Sequence, residues 1–181
     1  MHTETENTRL VITASGPDQS GLVERLSGRI ADSGCSIEES RMSVLGGQCA
    51  MLVLVAGPWH ALSKLEGQLD VLGESLGLTL HHERTGKQER AEAAIPYTVD
   101  LVTPDRPGIV RSLAAFFARN GINIEDMQTS TYPAPHTGST SLSVVMTVAI
   151  PARTHIATLR GDFLDYCDSL NLDATFEPVR G

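Results

Sequence analysis

The chain is poor in positive charge: its 181 residues carry 14 Lys and Arg against 22 Asp and Glu, a formal net charge of −8. Affinity for a phosphate backbone comes mainly from Lys and Arg displacing counterions, so direct binding to nucleic acid is not expected. An acidic chain can still meet a DNA-binding protein. Cysteine is equally scarce. Cys35, Cys49 and Cys167 are widely spaced, odd in number and form no C-x-x-C pair. That speaks against a disulfide framework or a zinc site and leaves them as small buried hydrophobes. No run of about 18 apolar residues exists to span a bilayer. Met1 to Thr8 is polar and partly acidic, without the basic start and apolar middle of a signal peptide. These absences lead to the expectation of a cytoplasmic protein that engages no membrane, no metal and no cofactor.

What the sequence does have is one pattern used twice. Thr103-Pro104-Asp105-Arg106-Pro107-Gly108-Ile109-Val110 has a counterpart in Ser15-Gly16-Pro17-Asp18-Gln19-Ser20-Gly21-Leu22-Val23. At a spacing of 87, Pro104 matches Pro17, Asp105 matches Asp18, Gly108 matches Gly21 and Val110 matches Val23. The register then holds onward, with Phe117 on Ile30, Gly121 on Gly34, Ile124 on Ile37 and Glu125 on Glu38. A period near half the chain length means that one supersecondary unit has been duplicated. The expected division is a first unit at residues 9–83, a linker at 84–95 made of charged and small residues, and a second unit at 96–178. Units of this size bury limited surface, so each is expected to lean on the other or on a second chain, and a homodimer is expected.

Periodicity supplies the elements. Leu10, Ile12 and Ala14 alternate as on a half-buried strand. Leu22, Val23, Leu26 and Ile30 recur at helical spacing, with Gly34 as the stop. Ser36 to Leu45, Gly46-Gly47 and the apolar Ala50 to Val55 read as a hairpin whose second strand is buried on both faces. Pro58 suits the first turn of a second helix striped by Leu62, Leu65, Leu69 and Leu72, and Leu78 to Glu83 closes the unit as a strand.

The second unit repeats the plan with Tyr97, Val99 and Leu101, then Ile109, Val110, Leu113 and Phe117, then Leu142 to Ile150. Its last stripe, Ile156, Leu159, Phe163 and Tyr166, lies 94 beyond the leucines. The predicted class is α+β: two tandem ferredoxin-like βαββαβ units, each a four-stranded antiparallel sheet with two helices on one face. One length differs. The hairpin tip Tyr132-Pro133-Ala134-Pro135-His136-Thr137-Gly138 makes the second unit's connection about six residues longer, an insertion of the kind that is either neutral or carries function.

The repeated elbow is the best candidate for a site. Asp18 and Asp105 stand about three residues ahead of helix starts, where a carboxylate can accept from free amides. Gly21 and Gly108 allow close approach of a ligand or another chain. The unpaired amides around Leu22 and Val23, or Ile109 and Val110, suit a ligand carboxylate. Each Asp acting only as a cap and each Gly only as a turn residue is the plainer alternative.

Asp-Arg-Pro-Gly-Ile-Val, with Gly-Ile-Asn-Ile-Glu some fifteen residues on, resembles the ACT domain, a small-molecule sensing module, and the resemblance covers nearly the whole chain as two such units. A chain of two ACT units and nothing else is similar to the glycine cleavage system transcriptional repressor family, cytoplasmic regulators that act on a DNA-binding activator. The resemblance implies a ligand held between paired units, by the elbow of one and the residue opening the second strand of the other. The matching positions are Thr103, Asp105, Gly108 and Asn123 in the second unit, and Gly16, Asp18, Gly21 and Ser36 in the first. With Ser20 where the family favours Pro, and with Gly16 and Ser36 in place of larger side chains, the first elbow departs further from the pattern. The second is expected to be the better site.

No other constellation carries chemistry. His81-His82 and the pairs Glu38-Glu39 and Glu125-Asp126 would point to opposite faces of regular strands. The serines lack a triad arrangement, and Trp59 beside Pro58 suits core or interface packing. An enzyme is therefore not expected, and no residue is assigned to catalysis. The implied function is a non-enzymatic regulator that binds a small amino acid, glycine or similar, and contacts a transcription factor. A regulatory subunit of an amino-acid-metabolising enzyme is the alternative.

Overall fold

The computed structural model describes residues 8–86, 93–134 and 138–179. The chain divides into two compact units, residues 1–89 and 90–181. The first consists of β1 (Thr8–Pro17), α1 (Leu22–Asp32), β2 (Ser36–Leu45), β3 (Gln48–Gly57), α2 (Trp59–Leu76) and β4 (Thr79–Thr85). The second repeats it as β5 (Ala94–Pro104), α3 (Ile109–Arg119), β6 (Asn123–Pro133), β7 (Thr140–Pro151), α4 (Ile156–Ser169) and β8 (Asp173–Pro178). Both sheets are antiparallel, in the orders β2-β3-β1-β4 and β6-β7-β5-β8. Sheet pairing takes in the outer residues of the stretch read as linker: Thr85 pairs with Arg9, and Ala94 with Pro151. Residues 87–92 of that stretch lie outside the described residues.

In each unit the inward strand residues and both helix stripes share one cluster. Leu10, Ile12, Ala14, Met51, Val53 and Val55 pack with Leu22, Leu26 and Ile30 of α1 and the four leucines of α2. The second core is aromatic: Phe116, Phe117, Phe163 and Phe176 are all the phenylalanines of the chain, and all are buried there. Two expectations are corrected here. β3 is buried on one face along most of its length, with Cys49, Met51, Val53 and Val55 inward while Leu52 is 49% exposed, because both helices cover the same side of the sheet; only near its end, at Ala56, is the other face buried too. Trp59 belongs to no core; it is 66% exposed, with the Arg84 guanidinium 5.5 Å from its ring centre. Among the described residues no helix is long and apolar enough to cross a membrane.

All four helices end alike, with an amide reaching back five residues: Cys35 to Ile30, Leu78 to Gly73, Ile122 to Phe117 and Leu172 to Cys167. This ending needs a left-handed residue just past the helix. Glycine supplies it three times, and Asn171 (φ 53) supplies it after α4. Pro58 stands just before α2, at its N-cap, rather than within the first turn.

The connection between β2 and β3 is Gly46-Gly47, whereas six residues, 134–139, separate β6 from β7. The remaining extra length goes into longer β6 and β7 strands; residues 135–137 of the tip lie outside the described residues. Each outer strand also carries a bulge, at Glu38 and at Glu125. These strands are therefore not regular where the carboxylate pairs occur. Glu38 is bidentate with Arg9 (2.5 and 3.1 Å), and Glu39 meets Arg41 at 2.9 Å.

The half-buried pair on α2 and β4 had no signal in the spacing. Arg84 donates to both carboxylate oxygens of Glu66, at 2.8 and 2.7 Å, and to the Ser63 hydroxyl at 2.8 Å. Arg84 holds the Glu66 carboxyl below the usual carboxylate range.

Candidate functional site

Both elbows end a central strand and open a helix. Gly21 (φ 88) and Gly108 (φ 95) are the N-cap residues of α1 and α3, and their left-handed backbone is in itself sufficient reason for glycine. Leu22 and Ile109, the first helical residues, turn their side chains into the cores at 2% and 5% exposure, so only their amides are available to a ligand. Neither helix start is capped by a side chain, which corrects the reading of Asp18 and Asp105 as caps. What fixes each Asp is its own amide, donated to Gly47 O (2.9 Å) and to Thr140 O (2.8 Å) across the neighbouring hairpin end. Asp105→Ala and Asp18→Ala should consequently leave stability within about 0.5 kcal/mol of the parent in thermal melts. A loss near 1 kcal/mol would reinstate the cap.

The sequence candidates do not converge within a unit. Thr103 is 2% exposed on the inward face of β5, its hydroxyl 3.4 Å from Pro104 O, so its side chain is not open to a ligand. Asn123 pairs with Ala149, and Ala149 with Pro96, near the start of β5. The elbow begins at Pro104, the far end of that strand. At about 3.3 Å per residue, the stretch from Pro96 to Asp105 sets Asn123 and Asp105 of one unit about 30 Å apart. Ser36, paired through Ala56 to Arg9, is likewise at the opposite end from Asp18. A site using an elbow and a β2-type or β6-type opening residue needs two units or two chains to build it.

What does converge on each elbow is the end of the unit's other helix. Gln19 donates to Leu76 O at 2.5 Å, and Arg106, its counterpart at the spacing of 87, donates to Leu170 O. The elbow is thereby tied to the C-terminus of α2 or α4. In the first unit Arg25 adds a second tie, its guanidinium 3.3 Å from both Ser75 O and Ser75 Oγ. The equivalent residue in the second unit is Ser112, too short to make it. There a cleft of about 330 Å³ is lined by Arg106, Gly108, Ile109, Ser112, Ser169 and Asn171, among others. Reading the spacing of 87 together with the spacing of 94 would have located it, since Arg106 and Leu170 come from the two different registers.

Two thiols are held toward the protonated form by their surroundings. Burial pushes Cys167 up to about 11, with Asp168 adding to it, and burial raises Cys35 against the opposing pull of Arg84 and Lys64. Neither Cys35 nor Cys167 is therefore poised as a thiolate nucleophile at neutral pH.

Residues 8–83 match the ACT domain family. The glycine cleavage system transcriptional repressors of Escherichia coli (strain K12) and Shigella flexneri are each 29% identical over 170 residues, spanning 94% of this chain and 90% of theirs. The crystal structure of an unknown protein from Galdieria sulphuraria, 27% identical, superposes with a TM-score of 0.78 over 97% of this chain and 100% of that one. The family model matches the first unit, the second repeats its element order and sheet topology, and along nearly its whole length the chain is similar to the glycine cleavage system transcriptional repressors.

Proposed function

We propose that the protein is a non-enzymatic regulator that binds a small amino acid, with glycine the first candidate, and represses transcription through contact with a transcription factor. The single observation that carries the ligand half is the cleft of about 330 Å³ at the second elbow, beside the uncapped start of α3. The regulatory half rests on full-length similarity to proteins named as repressors of glycine cleavage, together with a net charge of −8 that disfavours direct DNA contact. Such a ligand acts by its differential affinity for two states of the protein. Bare sheet faces, with Leu52 at 49% and Val145 at 39% exposure, favour pairing of units or a homodimer, and a cytoplasmic location follows the same reading.

Calorimetric titration of the full chain with each common amino acid should give saturable binding to glycine or a close relative. A pull-down from lysate with and without that amino acid should retain a transcription factor in a ligand-dependent way. No binding by any amino acid removes the sensor reading. Retention of an amino-acid-metabolising enzyme instead removes the transcriptional one.

A further inference from the structure

The two units differ on the sheet face that carries no helix. Leu10, Ile12 and Ala14 point into the first core, so Val11 and Thr13 point away from it, and directly paired residues share a face. One row across that face is Glu39, Leu54, Val11 and Glu83, and the next is Arg41, Leu52, Thr13 and His81. The centre is apolar and the flanks are polar or charged. Leu52 is 49% exposed at that centre, and Arg41 and Glu39 form an exposed pair 2.9 Å apart at the β2 flank. The rows on either side consist of Ser, Thr and Ala apart from Arg9, whose guanidinium is held by Glu38.

In the second unit the equivalent rows are Asp126, Thr147, Thr98 and Glu177, then Gln128, Val145, Asp100 and Thr175. Val145 is the one large apolar side chain in them, and the exposed Asp100 stands beside it near the centre. These rows hold three carboxylates and neither Lys nor Arg. Stacking this face on a copy of itself would strip water from Asp100 with no cation to meet it.

The first unit's rows are complementary to themselves. A two-fold axis lying between two stacked sheets, across the strands and midway between the two rows, sets each row over the other row of a second copy. Arg41 then meets Glu39 of that copy, His81 meets Glu83, Leu52 meets Leu54, and Thr13 meets Val11. We propose that two copies of the chain dimerise by stacking the bare sheet faces of their first units in this register, with Leu52, Leu54 and Val11 at the centre and Arg41 and Glu39 at the rim. This rests on the homodimer reading above and fixes which of the two bare faces makes the contact. A face of about 20 Å by 25 Å on each copy hides on the order of 1,000 Å² in total, the low end of specific interfaces, so the association is reversible.

The test is sedimentation velocity of the full chain over a concentration series, where the parent should show a monomer-dimer equilibrium. Leu52→Asp puts a carboxylate at the apolar centre and should raise the dissociation constant by about tenfold or more. Arg41→Glu sets like charges opposite each other at two symmetric places and should weaken the dimer by about tenfold. Combining Arg41→Glu with Glu39→Arg should restore it, because the exchanged pair is complementary again. Val145→Asp, the same kind of change on the second unit's face, should leave the dimer as it is. Thermal melts establish that each variant is folded, and the Arg41 series on the exposed β2 carries the test if Leu52→Asp is not. A dimer that survives both Leu52→Asp and Arg41→Glu overturns this face while leaving a homodimer. If Met42→Asp then breaks it, the copies pair along the sheet edge, since Met42 is 49% exposed on the opposite side of β2. A double exchange that does not restore association overturns the two-fold register, and a dimer broken by Val145→Asp overturns the choice of unit. A chain that is monomeric throughout overturns the proposal and the homodimer reading together; if Leu52→Asp then abolishes capture of a transcription factor, the face belongs to that partner.

Discussion

Phe163→Ala should lower the unfolding free energy of the second unit by about 3–5 kcal/mol, a large part of the roughly 5–15 kcal/mol typical of a domain. Phe163 is fully buried at the centre of the aromatic cluster, with ring centres 5.3, 5.2 and 5.4 Å from Phe116, Phe117 and Phe176. Truncation removes its own transfer energy and its ring contacts with three neighbours, and a close-packed core relaxes only partly into the void. The chain provides its own reporters. Tyr97, Tyr132 and Tyr166 are all in the second unit, and the single tryptophan, Trp59, is in the first. Denaturant unfolding followed by near-ultraviolet circular dichroism should show the tyrosine transition moving to lower denaturant. A loss below about 1 kcal/mol in that transition would remove Phe163 from the core. The counterpart Leu69→Ala should act in the same way on the Trp59 signal, since Leu69 is fully buried in the first core.

The equivalence of Leu69 and Phe163 is legible in the sequence, because stripes at helical spacing survive duplication even when the side chains change. The element order and most inward residues are legible for the same reason. Two kinds of information are not. The solid apolar run Ala50 to Val55 carries no alternation, so period alone does not say that Leu52 faces outward; only the one-sided placement of the helices decides it. The elbow chemistry is also hidden. Local spacing suggests that Asp105 caps α3, whereas the backbone satisfies Asp105 through Thr140 and leaves the helix start free. The elbow's real neighbours, Ser169 to Asn171, lie some sixty residues away and are brought in by Arg106 bonding to Leu170 O. Position in a motif puts Thr103 and Asn123 beside Asp105. Strand direction separates Asn123 from it, and burial withdraws Thr103.

The same duplication makes a substitution that looks conservative within the repeat a damaging one. Gly16 occupies in the first unit the position that Thr103 occupies in the second, so Gly16→Thr merely copies the sister sequence. A Cβ on Gly16 would lie 2.8 Å from Gly77 O and 2.8 Å from Leu78 Cδ2. The leucine methyl can rotate away, but the carbonyl is backbone, fixed by the turn that ends α2. There Gly77 is left-handed (φ 66) and Leu78 N bonds to Gly73 O at 2.9 Å. Relief therefore requires β1 or that turn to shift, at about 2–3 kcal/mol for overpacking of this kind. The shift would also strain the bond from Gln19 to Leu76 O, which ties the first elbow to the same turn. Gly16→Ala adds the clashing atom alone and should account for most of the loss; Thr adds two further heavy atoms and should exceed it. Thermal melts read at Trp59 measure both. If Gly16→Ala and Gly16→Thr melt with the parent, the turn after α2 yields freely, and the first elbow is not held by the end of its second helix.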